Sequence, residues 1–403
     1  MGRLSDRHLY GLLFGNFLVY GGVTTLVGAT LPLVIREFGW SYLEAGLVFA
    51  AGTVGYFTTT FLAGLVIDRA GPRRLLTFGL LLEALGVGCF GILPQVAFNM
   101  SALVLVGIGQ GSTELATNYS VVQMERSGSS RLMNLMHAAF TIGAVATPAL
   151  AAGFIEVSGR WRLIYLVMAG LTLLVSGIVQ LRTLPFADPQ PSAQSSRASL
   201  GLIAREPLLG LIALVVLLYV GAEMGISAWV SEFLVKTFSA TASAGAIGVS
   251  AYWLGILLGR VLTSAFYRGR QPAKALVLFG VMSTVCLLGV IFAANHTLSV
   301  LLFFGTGLGY SAVYPLAMTM TGQAFPRQQG VAIGVVSTGG GLGACIFPFI
   351  MSAISNHMGI VAGFWFYLGV TGVMVLTMIG IVLLLPRRPV TAEAPDSAGR
   401  SAN

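Results

Sequence analysis

Charge is what this sequence has least of. Only 9% of its 403 residues are charged, 22 Lys and Arg against 14 Asp and Glu, whereas a soluble domain carries about 25%. That shortage excludes a water-facing surface over most of the chain. Cysteine is scarcer still: Cys89, Cys286 and Cys345 stand on separate apolar stretches, without metal-ligand spacing or a disulfide framework, and read as small buried hydrophobes. Nucleotide-binding loops, metal-ligand clusters and nucleophile–base arrangements do not occur in the pattern, so the chain reads as no enzyme, with no cofactor and no metal.

What fills the chain instead is apolar sequence: 56% is hydrophobic and the mean hydropathy is +0.87. Twelve stretches of about bilayer-spanning length recur, at about 9–35, 42–67, 75–93, 98–122, 133–156 and 161–182, then about 208–235, 242–267, 273–293, 297–321, 329–355 and 361–385. The chain therefore reads as an all-α membrane protein with twelve spans. The first stretch is too long for a cleavable signal, is interrupted by Asn16 and Tyr20, and is followed by no small-residue cleavage site.

The formal net charge of +8 points to membrane topology and not to nucleic acid. With a cytoplasmic N-terminus, about 17 of the 22 basic residues fall on the cytoplasmic side. About four (Arg36, Arg160, Arg162, Lys236) fall outside, and Arg260 lies within a span. The positive-inside bias thus predicts a multi-pass protein of the cell membrane with both termini in the cytoplasm.

The only long polar interruption, "TLPFADPQPSAQSSRASLGLIAREP" at 183–207, reads as a cytoplasmic linker. It separates a six-span bundle at 1–182 from a second at 208–385; the tail at 386–403 reads as disordered and cytoplasmic. The halves echo each other. "GIGQG" (107–111) matches "GTGLG" (305–309), and "GAVATP" (143–148) matches "GACIFP" (343–348). Two matches in the same order suggest duplication, giving like-oriented repeats about a pseudo-two-fold axis. The same glycines also suit close helix packing.

Polar residues inside the spans line up four apart, a spacing that keeps to one helix face with some drift. The sets are Asn16, Tyr20 and Thr24; Gln110, Glu114 and Asn118; Tyr219, Glu223, Ser227 and Ser231; and Tyr310 with Tyr314. They fall on spans 1, 4, 7 and 10. An acid within a span costs roughly 2.5–3.5 kcal/mol on insertion scales and marks a functional candidate. Glu114 and Glu223 are the foremost, each expected near the midplane and facing a water-filled cavity, Glu223 on one stripe with Tyr219 and Ser227. Either could load a proton on one side and release it on the other. Glu83 fits a structural hydrogen bond or a role equally. His137 could relay a proton or bridge helices, and Trp229 and Trp253 could stack on a sugar or anchor an interface. Arg260 reads as structural.

The stretch "GLVIDRAGPRR" (64–74) resembles the signature loop of the major facilitator superfamily, with Gly64, Asp68, Arg69, Gly71, Arg73 and Arg74 in place. The resemblance implies a loop that braces the cytoplasmic side and latches the outward-facing state. The second-half equivalent keeps Gly259 and Arg260 but has Thr263 in the acid's place. Within the superfamily, "GSTELATNYSVV" (111–122), "NLMHAAFTIGA" (134–144) and "YVGAEMGISAWV" (219–230) resemble the fucose–galactose–glucose proton symporter-like branch. "GRVLTS" (259–264) and "GYSAVYP" (309–315) add weaker matches. One departure is Gly28, which stands where the branch's fucose transporters place an acid.

The resemblance implies two six-helix bundles rocking about a midplane site, a cavity lined by spans 1, 4, 7 and 10, and proton-coupled uptake of a small neutral solute, most plausibly a monosaccharide. Sodium is the alternative coupling ion, with Glu114 and Asn118 as oxygen ligands. A proton-antiport exporter is the rival function, and a non-transporting sensor a more distant one. The expected partners are a small-molecule substrate and the lipid bilayer, with no nucleic acid, around a monomer.

Overall fold

The computed structural model describes residues 2–124, 131–181, 206–266, 271–326 and 329–384. Most of the 183–207 linker, the 386–403 tail and the Asp68 side chain lie outside the described residues. Among the described residues every regular element is a helix: α1 (Gly2–Phe38), α2 (Tyr42–Ala70), α3 (Pro72–Cys89), α4 (Val96–Met124), α5 (Arg131–Ser158) and α6 (Arg162–Leu181). The second half holds α7 (Pro207–Phe238), α8 (Ala242–Phe266), α9 (Pro272–Ile291), α10a (His296–Tyr310), α10b (Val313–Ala324), α11 (Gln329–Met358) and α12 (Ile360–Leu384).

Among the described residues eleven helical stretches are long and apolar enough to cross a membrane, with α10a and α10b counted together. The remaining one, α3, carries Arg73, Arg74 and Glu83 in its 18 residues, which is what keeps it out of that set. Apolar side chains left outward, such as Leu174, Leu278 and Leu301, suit a lipid surround.

Local sequence sets the helix ends. At the start of α2, Ser41 Oγ accepts from the Glu44 amide at 3.2 Å while Glu44 Oε2 accepts from the Ser41 amide at 2.7 Å, a reciprocal cap that satisfies two otherwise orphaned donors. Between α2 and α3 the chain reverses at Gly71, whose φ of 78° is a conformation only glycine adopts without strain. Pro72 then occupies the first position of α3, where its missing N–H costs nothing.

The two sequence echoes sit at matching contacts. Gly107 of α4 lies against the Gly52 carbonyl of α2, and Gly307 of α10a lies against the Tyr252 carbonyl of α8. Likewise Gly143 of α5 meets the Leu18 carbonyl of α1, and Gly343 of α11 meets the Leu217 carbonyl of α7. In each half the fourth span leans on the second, and the fifth on the first, through a point where a methyl group would not fit.

The halves touch mainly away from the side where α6 ends and α7 begins, called here the linker side. On the far side, Tyr42 of α2 donates to Glu232 of α7 at 3.0 Å, and Ser231 of α7 donates to the Ala29 carbonyl of α1 at 3.2 Å. Trp229 stands edge-on to Tyr42 with ring centroids 5.5 Å apart. Further pairings run along α2 with α11 and α5 with α8, whereas α4 makes no substantial packing with α10b or α11. The result is a molecule sealed on the far side and parted on the linker side.

Candidate functional site

A cavity of about 970 Å³ lies between the halves. It is lined by Tyr20, Thr24, Tyr56, Gln110, Glu114, Asn118 and His137 from the first half, and by Ser227, Tyr314 and Ser337 from the second. Spans 1, 4, 7 and 10 all contribute, joined by α2, α5 and α11.

Glu114 is its chemical centre. Its Oε2 accepts from two phenols, Tyr20 of α1 and Tyr56 of α2, each at 2.7 Å. Hydrogen bonds to a carboxylate are about twice as strong as neutral ones, so three helices are tied at this point. Among the described residues no donor reaches the other oxygen, Oε1. Glu114 lies about 15 Å from the Met124 end of α4 at 1.5 Å per residue. It is therefore nearer the linker-side end than the far-side end of the described helix.

Around it the first half builds a polar layer. Gln110 donates from Nε2 to Thr24 Oγ1 and to Glu83 Oε1, both at 3.3 Å. Asn16 does not reach the cavity: it is buried and donates to Thr117 at 3.0 Å, tying α1 to α4. Asn118 lines the cavity while its own Oδ1 is buried without a partner. His137 lines it too, its ring edge-on to Phe17 at 5.8 Å.

The second half departs from expectation. Glu223 lies near the middle of α7, about 24 Å from its Pro207 end, yet is only 4% exposed and does not line the cavity. Its Oε1 accepts from the Tyr219 hydroxyl and stands 3.8 Å from Arg260 Nη2. The expected single stripe of Tyr219, Glu223 and Ser227 facing water is thus corrected. Each four-residue step turns a helix by roughly 40° beyond a full circle, so Tyr219 and Glu223 face α8 and α10a while Ser227 reaches the cavity wall.

Tyr310 and Trp229 are likewise corrected. Tyr310 is buried against Tyr219, centroids 5.6 Å apart, and its hydroxyl has no partner. Trp229 is fully buried at the far-side seal, against Tyr42 and Phe49. Of the second-half candidates, Ser227 and Tyr314 reach the cavity; Ser227 also accepts from Trp253 Nε1 at 2.7 Å.

Arg260 was read from sequence as a structural residue near the cytoplasmic end. In the structure its guanidinium balances Glu223 and also donates to Thr141 of α5 at 2.9 Å. One cation thereby joins a buried acid of the second half to a helix of the first. Sequence held a signal for this pairing, since Glu223 and Arg260 are opposite charges in adjacent apolar spans. Sequence reasoning misses Tyr56, although Thr53, Tyr56 and Thr60 share one face of α2 and all three line the cavity.

The signature-loop residues divide. Arg73 donates to the Val179 and Gln180 carbonyls at 3.2 and 2.8 Å, capping the end of α6 within the first half. Arg69, Arg74 and Gly64 are exposed and Gly71 makes the turn.

The family model of the Major Facilitator Superfamily matches residues 12–295 and 212–402. The chain belongs to that superfamily, and is therefore a multi-pass membrane transporter and not an enzyme. It is 25% identical to "Bypass of stop codon protein 6" of Saccharomyces cerevisiae, over 85% of this chain and 76% of the relative. It is 24% identical to a glucose/galactose transporter of Brucella abortus, over 88% and 90%. Among solved structures, a bacterial homolog of the human lysosomal transporter Spinster superposes with a TM-score of 0.76 at 14% identity, covering 97% of this chain and 100% of the other. The E. coli fucose:proton symporter superposes with a TM-score of 0.64 at 20% identity, covering 92% and 98%. The resemblance to the sugar-symporter branch agrees with these relatives.

Proposed function

We propose that this protein carries a monosaccharide across the cell membrane together with protons, by alternating access. The observation that carries the reading is Glu114: a carboxylate inside a membrane protein, lining a central cavity, with one oxygen held by two phenols and the other given no donor among the described residues. When ionised such a group accepts charge-assisted hydrogen bonds from sugar hydroxyls, and when protonated it accepts weaker ones and can itself donate, so solute and proton act on one group. The relative named a glucose/galactose transporter supports the same solute class.

Two phenol donors on Glu114 favour the proton over sodium, which needs oxygens turned towards it as ligands. With the linker side cytoplasmic, as the basic residues suggest, the described arrangement is inward-facing. The halves would then rock about the α1–α7, α2–α11 and α5–α8 contacts to open the far side. The signature loop would latch that second state through Asp68 and its arginines.

Uptake by purified protein in liposomes tests this. With an inward proton gradient, radiolabelled glucose, galactose, mannose or fucose should accumulate, and a protonophore should abolish the accumulation. Failure of every hexose to move would overturn the solute class. Uptake indifferent to the gradient would overturn the coupling, and gradient-driven expulsion would make the protein an exporter.

A further inference from the structure

Glu83 lies on α3, outside the cavity wall, and the transport reading leaves it without a task. It is fully buried, and it reaches the site past Gly109, where an added methyl would come within 2.6 Å of its Cβ. Its Oε1 accepts from Gln110 Nε2 at 3.3 Å, while Oε2 has no partner. The second N–H of the same amide goes to Thr24 Oγ1 at 3.3 Å. Thr24 has already given its own proton to the Tyr20 carbonyl, at 2.9 Å, so towards Gln110 it can only accept.

These bonds fix which way the amide points. Both donors of Gln110 are used on its protein side, so the atom it offers the cavity is its carbonyl oxygen. Turned round, that oxygen would face a Thr24 oxygen whose proton is committed elsewhere and, with Glu83 ionised, a carboxylate oxygen. Glu114, one turn on and about 6 Å along the helix, also offers an oxygen. The α4 wall therefore presents acceptors to a solute.

We propose that Glu83 is a positioning residue that sets solute specificity: by holding the amide of Gln110, it makes this wall select ligands that bring hydroxyl donors. The solute it favours is a polyhydroxylated one, and it penalises analogues in which the hydroxyl facing Gln110 is replaced by an acceptor. This rests on the reading of the cavity as a sugar site.

The test compares binding of glucose and galactose with their monodeoxyfluoro derivatives, in which an acceptor-only fluorine replaces one hydroxyl at a time. In the wild type, fluorine at one ring position should weaken binding about tenfold, the scale of one unmatched acceptor. In Glu83→Leu the amide can turn to present N–H, and the ratio at that position should fall to near one while other positions keep theirs. Glu83→Gln can either accept from or donate to the Gln110 amide, so its ratio should fall between those of the wild type and Glu83→Leu. If Glu83→Leu does not fold, Thr24→Val releases the other N–H and should lower the same ratio. Unchanged ratios in the leucine and valine variants, or an equal loss at every position, overturn the proposal. A ligand-free measurement separates the two readings. In thermal unfolding, Glu83→Leu and Gln110→Met should be non-additive, and additivity overturns the positioning role. A wild type that binds no hexose sinks the sugar reading, and the unfolding cycle then decides on Glu83 alone.

Discussion

Gly28→Ala should push the molecule towards its far-side-open form. The added methyl would meet the Ser227 carbonyl oxygen at 2.8 Å, the Ala228 Cα at 3.0 Å and the Ala228 oxygen at 3.1 Å. Comfortable carbon contacts lie near 3.5–4.0 Å, so the overlap is roughly half an ångström. All three atoms are backbone of α7 and cannot rotate aside. Relief comes from α1 and α7 moving apart, which is how the far side opens. Overpacking of this kind costs about 1–3 kcal/mol, and only the far-side-closed form bears it. That energy shifts the balance of the two forms by about 5- to 150-fold. The readout is a cysteine at Ser231, which is buried at this seam, in a background without the three native cysteines. A membrane-impermeant maleimide should label it faster in Gly28→Ala than in the parent. Gly15→Ala on the same helix, where an added Cβ meets nothing within 4 Å, should leave the rate unchanged. Equal labelling in all three proteins would refute the argument that this contact holds the far side shut.

Tyr42→Phe removes the one donor that, among the described residues, reaches the buried Glu232 carboxyl; it should cost the closed form about 1–3 kcal/mol and raise labelling in the same assay. Arg260→Met strands Glu223 in the membrane interior. Because Arg260 is 27% exposed and 3.8 Å away, the loss should be about 2–3 kcal/mol, below that for a fully buried pair. Its unfolding temperature should fall, and Arg260→Met with Glu223→Leu should recover most of it; a single variant as stable as wild type would refute the pairing. Glu114→Gln keeps an acceptor but not the charge, so gradient-driven accumulation should vanish while solute counterflow persists. Wild-type accumulation would make Glu114 a structural tie between α1, α2 and α4.

The helices were legible because a bilayer permits little else: every backbone group must be paired within the span, so length and hydropathy suffice. The first-half site was legible for a related reason, since Gln110, Glu114 and Asn118 keep to one face of one helix. Glu223 was not. Its side chain points away from the cavity because an arginine on the next helix neutralises it, and spacing along α7 does not reveal a partner on α8. Tyr56 escaped notice because a lone tyrosine among apolar and threonine neighbours looks like packing until Glu114 is placed opposite it. Gly28, a departure from the related fucose transporters in sequence, has a steric meaning here: no carboxylate fits between α1 and the α7 backbone. Under the proposed proton coupling, Glu114 would have to serve without an acid at that position.

The break in the tenth span has its own consequence. Helix α10a ends at Tyr310, α10b begins at Val313, and Pro315 follows two residues on. Proline has no N–H to return to the Ser311 carbonyl, so the ladder of backbone bonds is already interrupted in the middle of the span. A straight helix would have to lose such a bond in order to bend; this one does not. The twelve residues of α10b, with Tyr314 on the cavity wall, form a short lever on a joint of low stiffness. The linker-side mouth can therefore narrow by a local swing of α10b before the six-helix bundle turns as a body. Tyr314, just past the break, puts the cavity wall itself on this shorter segment.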